Sequence, residues 1–400
     1  MTHGHGHHHG SATPASAKVR KLVVGLLLPL ALGTLVAAAM VYPWHGRAAG
    51  GTPAAGTTVV HGVVTATTAS DCGGGGAKQC VAVTVAVDNG HTVTEPMPLE
   101  PSTPRFSVDD KVVLGYNGGD PTDPGSYQLL DFQRGIPLAV LAVLFSIAVL
   151  VLGRWQGLKA LGALLLTFVI LILFVLPAIL AGKDPLTVAV AGSALIMFVV
   201  LYLTHGLSVR TSTAVAGTLV SLTLIGMLGW IFAVVANLTG LDEDTANLIT
   251  LLGHGVDSRG LLLAGVVIGS VGVLDDVTVT QTSAVWELRR ANPSLGWRRL
   301  YAAGLRIGRD HMSSSVNTLV MAYAGAGLPL LLAYSVTGRG FADALTAETV
   351  AQEVLRTLVG SIGLIASVPI TTLLAALVAH QETFDDPISA DDYPTESLIL

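Results

Sequence analysis

Two adjacent carboxylates, Asp275 and Asp276, close an apolar run that begins near Gly260, and Thr278, Thr280, Gln281, Thr282 and Ser283 follow at once. Each carboxylate costs roughly 2.5–3.5 kcal/mol at the centre of a bilayer, less towards its edge. A membrane helix that keeps such a pair uses it on a proton, ion or solute path. Gly265, Gly269 and Gly272 fall at helical spacing and clear one face for a neighbouring helix. Asp276, Thr280 and Ser283 continue that face, while Asp275, Thr278 and Thr282 form a second polar ridge beside it. The alternating Val277–Thr280 also permits local unwinding, provided protein or water covers the backbone. If the helix starts near Gly260, Asp275 lies about 24 Å along it, close to one edge of a core about 30 Å thick. The plainer alternative is two interfacial carboxylates that end a helix and pair with the arginines of a basic loop.

A second polar stripe favours the path. Asp310, Ser313, Ser314, Asn317 and Thr318 recur at intervals that place them on one helical face. Both polar ends start from the same basic loop, so Asp275, Asp276, Asp310 and Asn317 are expected to converge. His311 is a possible proton carrier beside them. Adjacent carboxylates repel when both are ionised, which suits a proton-coupled carrier, and an oxygen-lined pocket suits a bound cation equally.

The elements that must position these residues are apolar helices. Half of the 400 residues are hydrophobic (51%) and only 12% are charged, against about 25% charged in soluble domains. Eight spans are expected: Leu22–Tyr42, Ile136–Leu152, Leu158–Ala181, Leu186–Thr204, Thr213–Asn237, Gly260–Val279, Met312–Tyr334 and Leu355–Ala379. The first follows Lys18, Arg20 and Lys21 and is too long for a cleaved leader, so it reads as an uncleaved anchor. Lys and Arg gather on one side: Arg154, Lys159, Arg210, Arg289, Arg290, Arg298, Arg299, Arg306 and Arg309 join the three at the start. The short loops of the other side hold only Lys183, Arg259 and Arg339. That bias places both termini in the cytoplasm of a multi-pass plasma-membrane protein. Pro177, Pro329 and Pro369 fall within spans and are expected to kink them.

Residues 43–135 differ, being rich in Val, Thr, Gly and Pro. Val81, Val83, Val85 and Val87 alternate as in a half-buried strand, Asp88-Asn89-Gly90 supplies a turn, and His91–Glu95 returns. With Val59–Thr68, Lys111–Tyr116 and Tyr127–Phe132 these give five strands, which fit an oligonucleotide/oligosaccharide-binding-like barrel or an open sandwich. The two cysteines, Cys72 and Cys80, lie in this extracytoplasmic segment and are expected to form a disulfide. The domain plan is thus a His-rich start (1–21), an anchor (22–42), a β domain (43–135), a seven-helix core (136–380) and an acidic, disordered tail (381–400). His3, His5, His7, His8 and His9 resemble a tag or a metal-scavenging tail, which leaves a metal role open.

The net charge of −6 and the lack of a basic, aromatic patch exclude nucleic acid as a partner. No phosphate-loop pattern is present, nor any nucleophile or zinc motif of a membrane protease, so no cofactor and no enzymatic activity are expected.

The string Gly272-Val273-Leu274-Asp275-Asp276-Val277-Thr278-Val279-Thr280-Gln281, continuing through Ser283–Leu288, resembles the hallmark of the YibE/F family of bacterial membrane proteins. Arg309-Asp310-His311 and the run Ser313–Leu319 are similar to that family too, and the resemblance covers roughly Leu129 to Ala379. It implies an anchor, an extracytoplasmic domain and a multi-span core of the kind often presumed to transport, with no agreed substrate. Mainly α architecture is therefore expected, with about eight transmembrane helices, a small β domain and the capacity to form a homo-oligomer. The leading function is a proton- or ion-coupled secondary transporter of an unknown small solute or ion. Asp275, Asp276 and Asp310 would be its binding groups, and Thr278, Thr280, Gln281, Thr282, Ser313, Ser314 and Asn317 would line its path. The rival is a non-transporting scaffold or envelope assembly factor whose outside domain binds a partner.

Overall fold

The computed structural model describes residues 17–44, 58–72, 79–252, 256–336 and 340–382. The His-rich start, the acidic tail from residue 383 and the Gly73–Gly76 loop lie outside the described residues. The chain divides into two compact units, Ala49–Leu158 and a second made of Met1–Ala48 with Lys159–Leu400.

The first unit holds five antiparallel strands: β1 (Thr58–Asp71), β2 (Gln79–Val87), β3 (Thr92–Pro98), β4 (Lys111–Tyr116) and β5 (Tyr127–Phe132). Their order is β3-β2-β1-β4-β5. β1 is long enough to serve two neighbours. Its first half pairs with β4 and its second with β2, with a register shift between Val64 and Ala66 where it bends. The sheet thus curls into a half-barrel around Val64, Val83, Val85, Val93, Val112 and Leu114. Across the remaining gap the Glu95 carboxylate on β3 accepts the Leu129 backbone N–H of β5 at 2.6 Å. The curled single sheet replaces the open sandwich that its composition also allowed. Cys72 and Cys80 are joined as a disulfide that closes the β1–β2 connection.

Helices make up the rest: α1 (Ala17–Val41), α2 (Gly135–Ile170), α3 (Leu176–Leu180), α4 (Pro185–His205), α5 (Val209–Val235), α6 (Glu243–Leu252), α7 (Ser258–Ala291), α8 (Trp297–Ala326), α9 (Leu328–Val336), α10 (Phe341–Thr346) and α11 (Glu348–His380). Six helical stretches among the described residues are long and apolar enough to cross a membrane, or seven if the α8–α9 pair counts as one. Two of the expected spans fall in a single 46-residue stretch, Gly135–Leu180. That stretch is not straight. Arg154 has φ 49° and ψ −123°, far from helical values. A Cβ on Gly157 would stand 2.3 Å from the Val149 carbonyl oxygen, whereas eight residues of straight helix are about 12 Å long. The chain folds back there, and only glycine fits the contact.

Pro177 is accommodated by a π-helical turn, Leu171–Val175, just before it. The α8–α9 pair bends by 52° ahead of Pro329, and Pro369 lies inside α11. The helix starts are locally encoded: Asp184 accepts from the Thr187 N–H at α4 and Ser208 from the Thr211 N–H at α5.

Around α7 the packing is close. Gly217 of α5 receives Thr371 of α11, and Gly363 of α11 receives Ile225 of α5, each at a distance that forbids a Cβ. Leu274, Val266 and Val267 of α7 join Val215, Leu222 and Ile225 of α5 in the apolar core, with Leu355 and Val359 of α11.

Candidate functional site

α7 carries the acidic pair as a continuous helix from Ser258 to Ala291, without the local unwinding that Val277–Thr280 allowed. Its hydroxyls turn back on it: Thr280 donates to the Asp276 carbonyl, Thr282 to that of Thr278 and Ser283 to that of Val279, which satisfies each within its own helix. At about 1.5 Å per residue Asp275 lies some 26 Å from the start of α7, and the helix runs on for about 24 Å beyond it.

The two carboxylates have different surroundings. Asp275 is half-buried, and its Oδ1 is covered and accepts no hydrogen bond from any described residue. Next to it Thr278 shares a 2.8 Å hydroxyl contact with Thr218 of α5, and both threonines are fully buried. Asp276 is 73% exposed, and its Oδ2 lies 3.9 Å from Nε2 of His311 on α8, itself 48% exposed. An ion pair this exposed contributes at most about 1 kcal/mol in water. Its interest is its position, a carboxylate and an imidazole facing one another across two long helices.

The expected convergence is only partly met. His311, rather than its neighbour Asp310, reaches α7. Asp310, Ser313, Ser314 and Asn317 are exposed, and among the described residues no hydrogen bond or ion pair links them to the carboxylates of α7. Ser313 donates to the Arg309 carbonyl on its own helix. Periodicity correctly groups these residues on one face, but that face points away from the bundle. Gln281 and Thr282 are fully buried. Gln281 Nε2 donates to the Gly304 carbonyl of α8 at 2.6 Å, and a Cβ on Gly308 would stand 2.7 Å from its Oε1. Gln281 therefore pins α8 to α7 rather than lining an open path.

Four further groups escaped the sequence reading. Arg289, assigned there to the basic inner loop, is buried and donates to the carbonyls of Pro293, Leu295 and His380. It fixes the loop after α7 to the end of α11. Beside it Trp286 Nε1 donates to Glu382 at 2.9 Å. Burial lifts the Glu382 carboxyl above its ordinary range, opposed by the Trp286 hydrogen bond and the charge of Arg290. At the other end of α11, Glu348 accepts from the Thr239 N–H, the Thr239 hydroxyl and the Gly240 N–H. Two turns further on, Arg356 pairs with Glu353 at 2.5 Å.

Residues 141–381 match the YibE/F-like protein family. The chain belongs to that family. The match takes in the acidic pair, His311 and Arg356, and leaves out the half-barrel and the N-terminal helix. No curated protein and no solved structure matches the chain. Membership in the YibE/F-like family and several apolar helices together point to a membrane protein.

Proposed function

We propose that this YibE/F-like protein is a proton- or ion-coupled secondary transporter of the bacterial plasma membrane, moving a small solute or ion through a polar site between α7 and α8. The reading takes Gly135–Leu180 as two spans and α8–α9 as one, which makes eight and leaves both termini in the cytoplasm. The half-barrel is then extracytoplasmic, where its disulfide is at home.

One observation carries it: Asp276 faces His311 across two helices, beside Asp275 with its covered, unmatched oxygen. Ionisable groups that pair between neighbouring membrane helices mark proton and ion routes. Asp275 and Asp276 are the binding groups, His311 the exchanging partner, and Thr278 with Thr218 the polar wall. Asp310, Ser313, Ser314 and Asn317 contribute from the exposed face of α8, towards water or a second copy. No cofactor and no enzymatic step are part of the proposal.

A scaffold reading is favoured by Gln281, whose burial against Gly304 and Gly308 shows that part of the polar run locks helices. The two readings separate in proteoliposomes loaded with a pH-sensitive dye, under an imposed proton or sodium gradient, challenged with fractionated metabolite pools. A carrier gives solute-triggered flux that Asp275→Asn and Asp276→Asn abolish while both variants reconstitute normally. Silence under every gradient and pool, with intact protein in the bilayer, sinks transport.

A further inference from the structure

Tyr323 lies twelve residues beyond His311, about 18 Å along α8. There α8, α9 and α11 enclose a cleft of about 670 Å³, with Asp242 at its rim. The break between α8 and α9 lines it, as do Arg356 and Glu353. Arg356 Nη1 is neutralised by Glu353. Its other edge is not: Nη2 and Nε face Gly265 of α7, where a Cβ would stand 3.6 and 3.9 Å away, and Nε is covered without a hydrogen-bond partner. The side chain as a whole remains 28% exposed and lines the cleft, where a ligand can draw that edge away from α7. Gly269 of α7 likewise leaves room for the Tyr323 hydroxyl, 3.0 Å from where its Cβ would be.

The charges restrict what such a cleft can hold. Asp242 and Glu353 outnumber Arg356 among the lining residues, so a plain anion meets net negative charge. A plain cation leaves the fork of Arg356 unmatched, and an unmatched buried donor is costly. A molecule carrying both charges satisfies both. The geometry points to this cleft as a binding site for a small zwitterion of the amino-acid class. Its carboxylate sits on the Nε–Nη2 edge of Arg356, its ammonium towards Glu353 and Asp242, and its aliphatic body against Ala326 and Leu330. Broken helices and intramembrane ion pairs are where solutes meet carriers. As cargo the zwitterion rests on the transport reading above; its binding does not.

The test uses the full chain in lipid nanodiscs with L-alanine, propionate and ethylamine at equal concentrations. L-Alanine raises the thermal unfolding midpoint by about 3 °C or more, and the two single-charge analogues do not. Arg356→Gln and Glu353→Gln each remove the shift. Ala326→Leu, which narrows the cleft without touching the ion pair, removes it too, and an unchanged ligand-free midpoint shows that this variant is folded. Asp276→Asn keeps the shift even where flux is lost, which separates failure of the site from failure of the carrier. An equal response to propionate overturns the zwitterion, and no response to L-alanine, or one that survives Arg356→Gln, overturns the site.

Discussion

The side-chain amide of Gln281 reaches the main-chain carbonyl of Gly304 on the next helix at 2.6 Å, in a spot where α8 presents no side chain of its own. Gly308, one turn on, leaves space for the other end of the same amide and for Val368 of α11. Two glycines and one glutamine thereby set how closely α7 and α8 approach. Gln281→Met keeps the volume and removes the hydrogen bond, and is expected to cost about 1–2 kcal/mol. Gly308→Val adds atoms where a Cβ would already be 2.5 Å from Val368, and is expected to cost about 3 kcal/mol. Thermal unfolding in detergent reads both. Equal stability of Gly308→Val and the parent would mean that the helices do not meet there.

The pair Asp276–His311 behaves in the opposite way. Both side chains are largely exposed, so Asp276→Asn and His311→Gln each shift stability by less than about 1 kcal/mol. Solute-coupled flux falls steeply in each, and the double variant loses no more than the worse single one, because the two groups act as a unit. Additive losses would show that they act separately.

Acid tightens the C-terminal end of α11. The carboxyl of Glu382 is raised by burial, so its protonated form is the better accommodated one in the folded protein. The sign follows from linkage. Its contribution to stability is fully present below the ordinary carboxyl value and is lost as pH rises through the raised one. Amide hydrogen exchange in peptides ending at Glu382 is therefore expected to slow on acidification through the range just above ordinary carboxyl titration, after correction for intrinsic exchange. Glu382→Gln keeps an acceptor for Trp286 and flattens the dependence. A dependence that persists unchanged in that variant would exclude Glu382 as its source.

The disulfide stiffens the entry to the half-barrel. Its loop is short, with a sequence separation of 8, so closure contributes about 2–3 kcal/mol. Cys72→Ser with Cys80→Ser should raise exchange rates in β1 and β2 while leaving α7 unaffected. Equal protection of β1 in both proteins would show that the bridge adds nothing.

Patterns with a short period were the easiest to foresee. Four alternating valines located β2, and the Asp88-Asn89-Gly90 turn led directly into β3. Hydropathy found every apolar segment and split Gly135–Leu180 into two spans, yet the sharpness of the corner between them rests on one positive φ at Arg154, which leaves no mark on composition. Helical spacing placed Asp310, Ser313 and Asn317 on a common face correctly. Which way the face points depends on how α8 crosses its neighbours, and that crossing is set by Gly304 and Gly308, which look like any other small residues in a sequence. The acid at 276 was legible as unusual, but its partner depended on a one-residue difference in helical phase between Asp310 and His311. Arg356 passed unnoticed inside the expected span Leu355–Ala379. Nothing along the chain links it to Gly265, ninety-one residues earlier.

The reversal at Arg154 has a bearing on biogenesis. In the eight-span reading proposed above, the two apolar arms joined by this corner enter the bilayer as a hairpin and emerge on the side they started from. Were residues 154 and 157 replaced by strong helix formers, the arms could fuse into one tilted rod, and the count of crossings would change from even to odd. Each later segment, the acidic pair of α7 included, would then be threaded upside down, from a change more than a hundred residues upstream.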